Sequence, residues 1–284
     1  MRRGVLAAII RGRMPAATMP PTLLLSLRQH RGLVATLARR EVQGRFRGTL
    51  LGRFWLLAAP ILMLGVYTLV FAVVFPARWP LADGSISLAA AYLLAGLCLS
   101  TAMADYLGRA PGWVQGRPNF VTKVRFPLEI LPVVEWAPPL IALGVSLAFT
   151  VLLATHAGHP PGLTLLAMPL VVLPFLVLLA GAGFIASALG VYFRDLQQLM
   201  APVLAASLFL SPILYPRESA PEALAGVLTL NPLTIPVEQL RRVLLEQQWP
   251  QWDVLGTYAL IAIVVLVVGS TVFSHLRRGF ADVI

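Results

Sequence analysis

Residues Phe54–Phe75, FWLLAAPILMLGVYTLVFAVVF, are 22 consecutive positions without one charged side chain. As a helix rising about 1.5 Å per residue, such a run is about 33 Å long and crosses a hydrocarbon core of about 30 Å. Lipid offers the backbone no hydrogen-bond partners, so a spanning segment must satisfy itself as a helix. The exclusion of charge recurs along the chain: apolar runs at about 54–75, 87–108, 130–155, 163–192, 199–215 and 254–276 read as six transmembrane helices. Only 12% of the 284 residues are charged and 58% are hydrophobic, whereas a soluble domain carries about 25% charge. The expected fold is an all-α integral membrane protein: six spans, an N-terminal amphipathic interface helix, and two short re-entrant helices before the last span.

A net charge of +10 raises nucleic acid as a partner, but the basic residues form no single aromatic-interleaved surface. They cluster between apolar runs. With the N-terminal segment placed in the cytoplasm, 18 of the 22 basic residues fall inside, and only Arg78, Arg217, Arg241 and Arg242 fall outside. This is the positive-inside pattern, and six spans then put both termini in the cytoplasm. Nucleic acid is excluded as a partner. Cys98 is the only cysteine, so neither a disulfide framework nor a cysteine metal site is expected.

Residues 1–25 read as a cytoplasmic extension or the product of an upstream start codon; Arg11 interrupts the apolar stretch that a signal peptide needs. Segment 26–53 differs. Leu27, Val34 and Leu37 share one helical face, while Arg31, Arg39, Arg40 and Glu41 occupy the others. Such a helix lies in the membrane interface, either as an anchor on anionic lipid or as a docking element for a cytoplasmic partner. Gly44 and Gly48 weaken it and allow a bend before the first span. Between spans two and three, Asn119–Arg125 reads as a short helix with Asn119 as N-cap and Pro127 as terminator. The outside segment 217–250 is amphipathic, broken at Asn231-Pro232 and Pro236, and too short in either half to span. It reads as two short helices dipping back into the outer leaflet, because Glu238, Arg241 and Arg242 make a full span costly.

Catalytic chemistry is missing. Lys123, the only lysine, sits in NFVTKVRF rather than in a phosphate-cradling G-x-x-x-x-G-K-[ST] loop. His30, His156, His159 and His275 show no metal-binding spacing, and no serine nucleophile motif appears. Asp105 and Glu135 lie near the inner ends of spans two and three, where an arginine such as Arg109 or Arg125 can pair with them. No mid-membrane proton relay remains to power a secondary pump. Energy must come from elsewhere. Aromatics are the positive signal: Tyr67, Phe71 and Phe75 at i, i+4, i+8 share one face of the first span. A row of rings can stack on sugars and let a glycan slide; ordinary helix packing is the competing reading. Phe209 and Tyr215 on the fifth span are a weaker instance.

The run Arg39-Arg40-Glu41-Val42-Gln43-Gly44-Arg45-Phe46-Arg47-Gly48-Thr49-Leu50-Leu51-Gly52-Arg53-Phe54-Trp55 resembles the N-terminal signature R-[DE]-x-x-x-R-[YF]-[RK]-x-[ST]-x-L-G-x-x-W of the ABC-2 permease family. The likeness is strongest to the transmembrane subunits that export O-antigen, teichoic acid and related polysaccharides. KVRFPLEILP at 123–132, YFRDL at 192–196, SPILYP at 211–216, NPLT at 231–234 and LRRGFA at 276–281 extend it, in order, over roughly 35–284. The resemblance implies a homodimer bound to two separate ATP-binding cassette subunits, which hold the ATP and magnesium, so no cofactor is expected in this chain. It assigns Arg39, Arg40, Glu41, Asn119, Lys123, Arg194 and Asp195 to contact with those ATPases. Tyr67, Phe71, Phe75, Phe209 and Tyr215 become channel residues along spans one and five. The implied function is ATP-driven export of lipid-linked polysaccharide, O-antigen first, across a bacterial inner membrane. A capsular polysaccharide or teichoic acid exporter is the near alternative, and an ABC-2 drug or small-lipid exporter the further one.

Overall fold

The computed structural model describes residues 26–45, 48, 50, 52–70, 86–122, 126–217 and 221–284. Among these, all regular structure is helical. Four stretches are long and apolar enough to cross a membrane: Ser87–Leu107, Leu128–His156, Leu163–Tyr192 and Trp252–Asp282. In chain order the helices are α1 (Arg31–Arg45), α2 (Trp55–Thr68), α3 (Ile86–Leu107), α4 (Gly112–Gln115), α5 (Pro118–Thr122), α6 (Leu131–Val134), α7 (Ala137–His156), α8 (Met168–Tyr192), α9 (Leu196–Phe209), α10 (Ala225–Leu230), α11 (Thr234–Leu244) and α12 (Trp252–Leu276).

Helix α3 is the hub. Its most apolar window is 72% buried within the protein, against 22% for that of α12, so α3 runs through the bundle while α12 presents Leu260, Ile261, Val264 and Val268 outward. Helices α8 and α12 touch backbone to backbone, because a Cβ on Gly181 would stand 2.6 Å from the carbonyl carbon of Val265. Small residues at helix contacts are the usual membrane solution, since packing rather than hydrophobicity drives association there.

The proline pattern explains the breaks. Pro138 and Pro139 have no N–H to donate to the carbonyls of Val134 and Glu135, so the second of these stretches is interrupted between α6 and α7. Helix α5 starts at Pro118, one residue before the expected N-cap, because proline fits the first helical position without needing a partner. Asn119 is therefore inside the first turn, and residues 123–125 lie outside the described ones. Helix α1 ends at Arg45, and Gly48 follows with φ of 83°, a left-handed conformation that permits the bend. The apolar face of α1 does not simply meet lipid. Leu27, Val34 and Leu37 pack on a core of Phe126, Leu128, Ile130 and Phe184.

The fifth run differs most from expectation. Helix α9 covers Leu196–Phe209, 14 residues, starting three residues before and stopping six before the expected 199–215. The chain then runs irregularly through Ser211–Pro216. Helices α10 and α11 flank the turn at Asn231-Pro232, the break expected there. Of the expected first span, 71–75 lies outside the described residues.

Candidate functional site

At the end of the bundle that carries α1, six charged side chains converge. Arg45 on α1 donates two hydrogen bonds to Asp105 of α3, at 2.6 and 2.7 Å. Arg117, in the segment between α4 and α5, donates to Glu41 of α1 at 2.9 Å and to Glu135 at 2.5 Å. Arg109 lies 3.7 Å from each of Glu41, Asp105 and Glu135. Three cations thus meet three anions. Glu135 is the anchor: its side chain is 1% exposed, and a carboxylate so buried is tolerable only when paired and hydrogen-bonded. The wall beside it is aromatic, with Tyr106 stacked on Trp136 at 3.8 Å and donating its hydroxyl proton to the Pro132 carbonyl at 2.8 Å.

A second bridge lies nearby. Arg277, just past α12, donates to Glu129 at 2.5 Å, and Ser26 donates to the same carboxylate at 3.3 Å. The N-terminal helical segment, the start of the stretch Leu128–His156 and the C-terminal turn therefore meet at the Glu129 carboxylate. Ionic contacts thus tie α1 to the end of α3 and, through Arg117 and Arg109, to Glu135 at the end of α6.

The opposite end is built from carbonyls. A helix leaves its last carbonyls without intrahelical partners, and α9 ends with its own supplied by side chains. Asn231 donates to the carbonyls of Ser207 at 2.7 Å and Leu210 at 2.8 Å. Ser211 donates to Leu208 and Tyr215 to Phe209, at 2.7 and 3.0 Å. Further on, Arg241 of α11, only 4% exposed, donates to Pro212 at 2.5 Å, Ile213 at 3.0 Å and Tyr92 of α3 at 2.9 Å. Between α3 and α9 opens a cleft of about 410 Å³, with Ser100, Thr101 and Gln197 among its polar lining and Leu97, Leu204 and Leu208 among its apolar lining.

The expected docking residues divide into two groups. Arg39, Arg40, Asn119, Arg194 and Asp195 are exposed, on α1, α5 and the turn between α8 and α9. Glu41 instead turns inward to the ionic cluster, and Lys123 lies outside the described residues. Of the expected channel aromatics, Phe209 is 61% exposed and Tyr215 is half-buried and bonded to its carbonyl. Tyr67 belongs to α2, with its side chain outside the description, and Phe71 and Phe75 lie outside it altogether. Asp105 and Glu135 are paired as expected, Glu135 through Arg109 and also Arg117; Arg125 is not described. Arg117 as the principal partner was not readable from the sequence, because it and Glu135 stand on separate short elements that no helical period connects.

Residues 32–245 match the family model described as ABC-2 type transporter. The chain is 30% identical over 262 residues to the O-antigen export system permease protein RfbA of Myxococcus xanthus, covering 92% of this chain and 98% of that one. It is 21% identical over 253 residues to the Klebsiella pneumoniae protein of the same name, covering 89% and 95%.

Proposed function

The chain belongs to the ABC-2 type transporter family, and from that membership we propose that it is the permease subunit of an ATP-driven exporter of lipid-linked polysaccharide, O-antigen in particular, in a bacterial inner membrane. The observation that carries this reading is the end-to-end likeness to permeases named for O-antigen export. The chain is not itself the ATPase. Two copies pair with two ATP-binding cassette subunits, which bind the nucleotide and magnesium. Six spans are completed by the apolar run 54–75 of the sequence and by α9 with the irregular stretch after it. Helices α10 and α11 are the re-entrant pair. Both termini are cytoplasmic, as the 18-to-4 distribution of basic residues supports.

The residues divide the work by position. Arg39, Arg40, Asn119, Lys123, Arg194 and Asp195 meet the ATPases, with Glu41 linking that surface to the bundle. The ionic cluster of Glu41, Arg45, Asp105, Arg109, Arg117 and Glu135 carries the ATPase stroke into α3 and α6, because short charge-assisted bonds transmit displacement with little slack. Tyr67, Phe71, Phe75, Phe209 and Tyr215 line the glycan path, where stacking binds sugars without buried charge. The test is coupling. With the partner ATPase present, Arg194→Glu or Lys123→Glu leaves the complex in the membrane but separates ATP turnover from glycan export. Normal coupling in both variants removes these segments from the docking surface.

A further inference from the structure

Helix α9 is nearly detached by packing: only Leu204 is buried among its fourteen residues. Its far end is nevertheless held firmly, by side chains from a segment that is itself anchored. Helix α11 buries Val237, Leu240, Val243 and Leu244. It is further fixed by Thr164, which donates to the Val243 carbonyl at 2.8 Å, and by the exchange between Gln239 and Gln251 at 2.8 and 3.1 Å. Tyr258 of α12 donates to the Pro232 carbonyl at 2.9 Å and pins the turn before α11. One side of the contact is rigid. The other side is a helix end and an irregular strand of backbone, which at membrane depth survives only if its polar groups are served by protein or by a water-filled cavity.

We propose that Asn231 and Arg241 are positioning residues of the exit, a two-residue latch by which α11 and the turn before it hold the carbonyl end of α9 and the following Leu210–Pro216 stretch in place. The proposal rests on the export reading above. The chemistry suits the role. Asn231 serves the carbonyls of Ser207 and Leu210 with one amide nitrogen, while its oxygen accepts the Leu233 N–H at 3.0 Å and orients the group. Arg241 reaches carbonyls on two other elements, Tyr92 of α3 and Pro212-Ile213, with the rigid donor fork that lysine lacks. Hydrogen bonds to carbonyls can be released and remade without opening a packed core, which is what an end that opens for each passing sugar requires. A buried guanidinium also resists loss of its partners, since unpaired it stands in a dry site. The latch therefore returns to its closed position.

The test uses the full chain with its partner ATPase in cells, carrying Leu214→Cys as a reporter; Cys98 is fully buried and gives a low background. A membrane-impermeant maleimide is applied from outside. In Asn231→Asp, which sets an acceptor against two carbonyls, and in Arg241→Gln, labelling at the introduced thiol rises about tenfold, as expected for loss of about 1.4 kcal/mol of closure. Arg241→Lys falls between these and the parent. Surface glycan drops in both of the first two variants while the amount of protein in the membrane stays at the parental level. Parental labelling rates in both variants overturn the latch. Failure of both to accumulate assigns the pair to folding and overturns it as well. If the parental chain supports no glycan export at all while labelling still responds, the latch stands as a structural device and the export reading fails instead.

Discussion

Arg45 grips Asp105 through two hydrogen bonds of 2.6 and 2.7 Å, joining the amphipathic helix to the end of the bundle's central helix across 60 positions of chain. A two-pronged guanidinium–carboxylate pair constrains orientation as well as distance. Both side chains are partly solvated, at 33% and 20% exposure, which limits the energy. A double-mutant cycle with alanine at each position is expected to give a coupling of about 1 kcal/mol in thermal unfolding of the solubilised protein. Strictly additive effects remove the pair from the account of how α1 is held.

Glu135 makes a sharper prediction. Its carboxylate is buried, and Arg117 and Arg109 both address it. Glu135→Gln keeps the shape but leaves two guanidinium groups short of one anion, and is expected to cost about 2 kcal/mol. Arg117→Met strands Glu135 with only the longer Arg109 contact and costs about 3 kcal/mol or more. Unfolding midpoints in detergent rank the two variants. Equal, small effects contradict the cluster as a load path.

The contact between α8 and α12 is tested at glycine. Gly181→Val drives a side chain into the Val265 backbone 2.6 Å away and is expected to cost about 3 kcal/mol. Gly256→Ala, at a position of the same helix α12 with open space around it, is neutral or slightly stabilising. Comparable losses in both variants contradict the close helix crossing.

Export itself tests the aromatic stripe. Replacing Tyr67, Phe71 and Phe75 together with alanine is expected to reduce surface display of long glycans, with membrane insertion unchanged. Surface glycan of parental amount and length distribution shows that the stripe is packing alone.

The four long spans and their order were legible because charge exclusion and length are local properties. Ile86–Leu107 and Trp252–Leu276 fall within two residues of the runs read from composition. The end of α9 was not, because it is decided elsewhere: Asn231 and Arg241, on a separate segment, supply the partners that let the helix stop at Phe209. Arg241 illustrates the limit. In the sequence it is a cost against spanning; in the structure it lies on the eleven-residue α11, and its three carbonyl partners come from two distant segments that no spacing reveals. Helix α1 shows the same limit in milder form. Its amphipathic pattern was plain, yet whether Leu27, Val34 and Leu37 meet lipid or protein depends on Phe126 and its neighbours.

The most direct measurement is the fate of the glycan in cells from which this chain has been deleted. Lipid-linked polysaccharide is expected to build up on the cytoplasmic side while surface O-antigen disappears, and the chain is expected to restore display only together with its ATP-binding cassette partner. Undiminished surface O-antigen in the deletion strain, or restoration by the chain with the ATPase absent, contradicts the account.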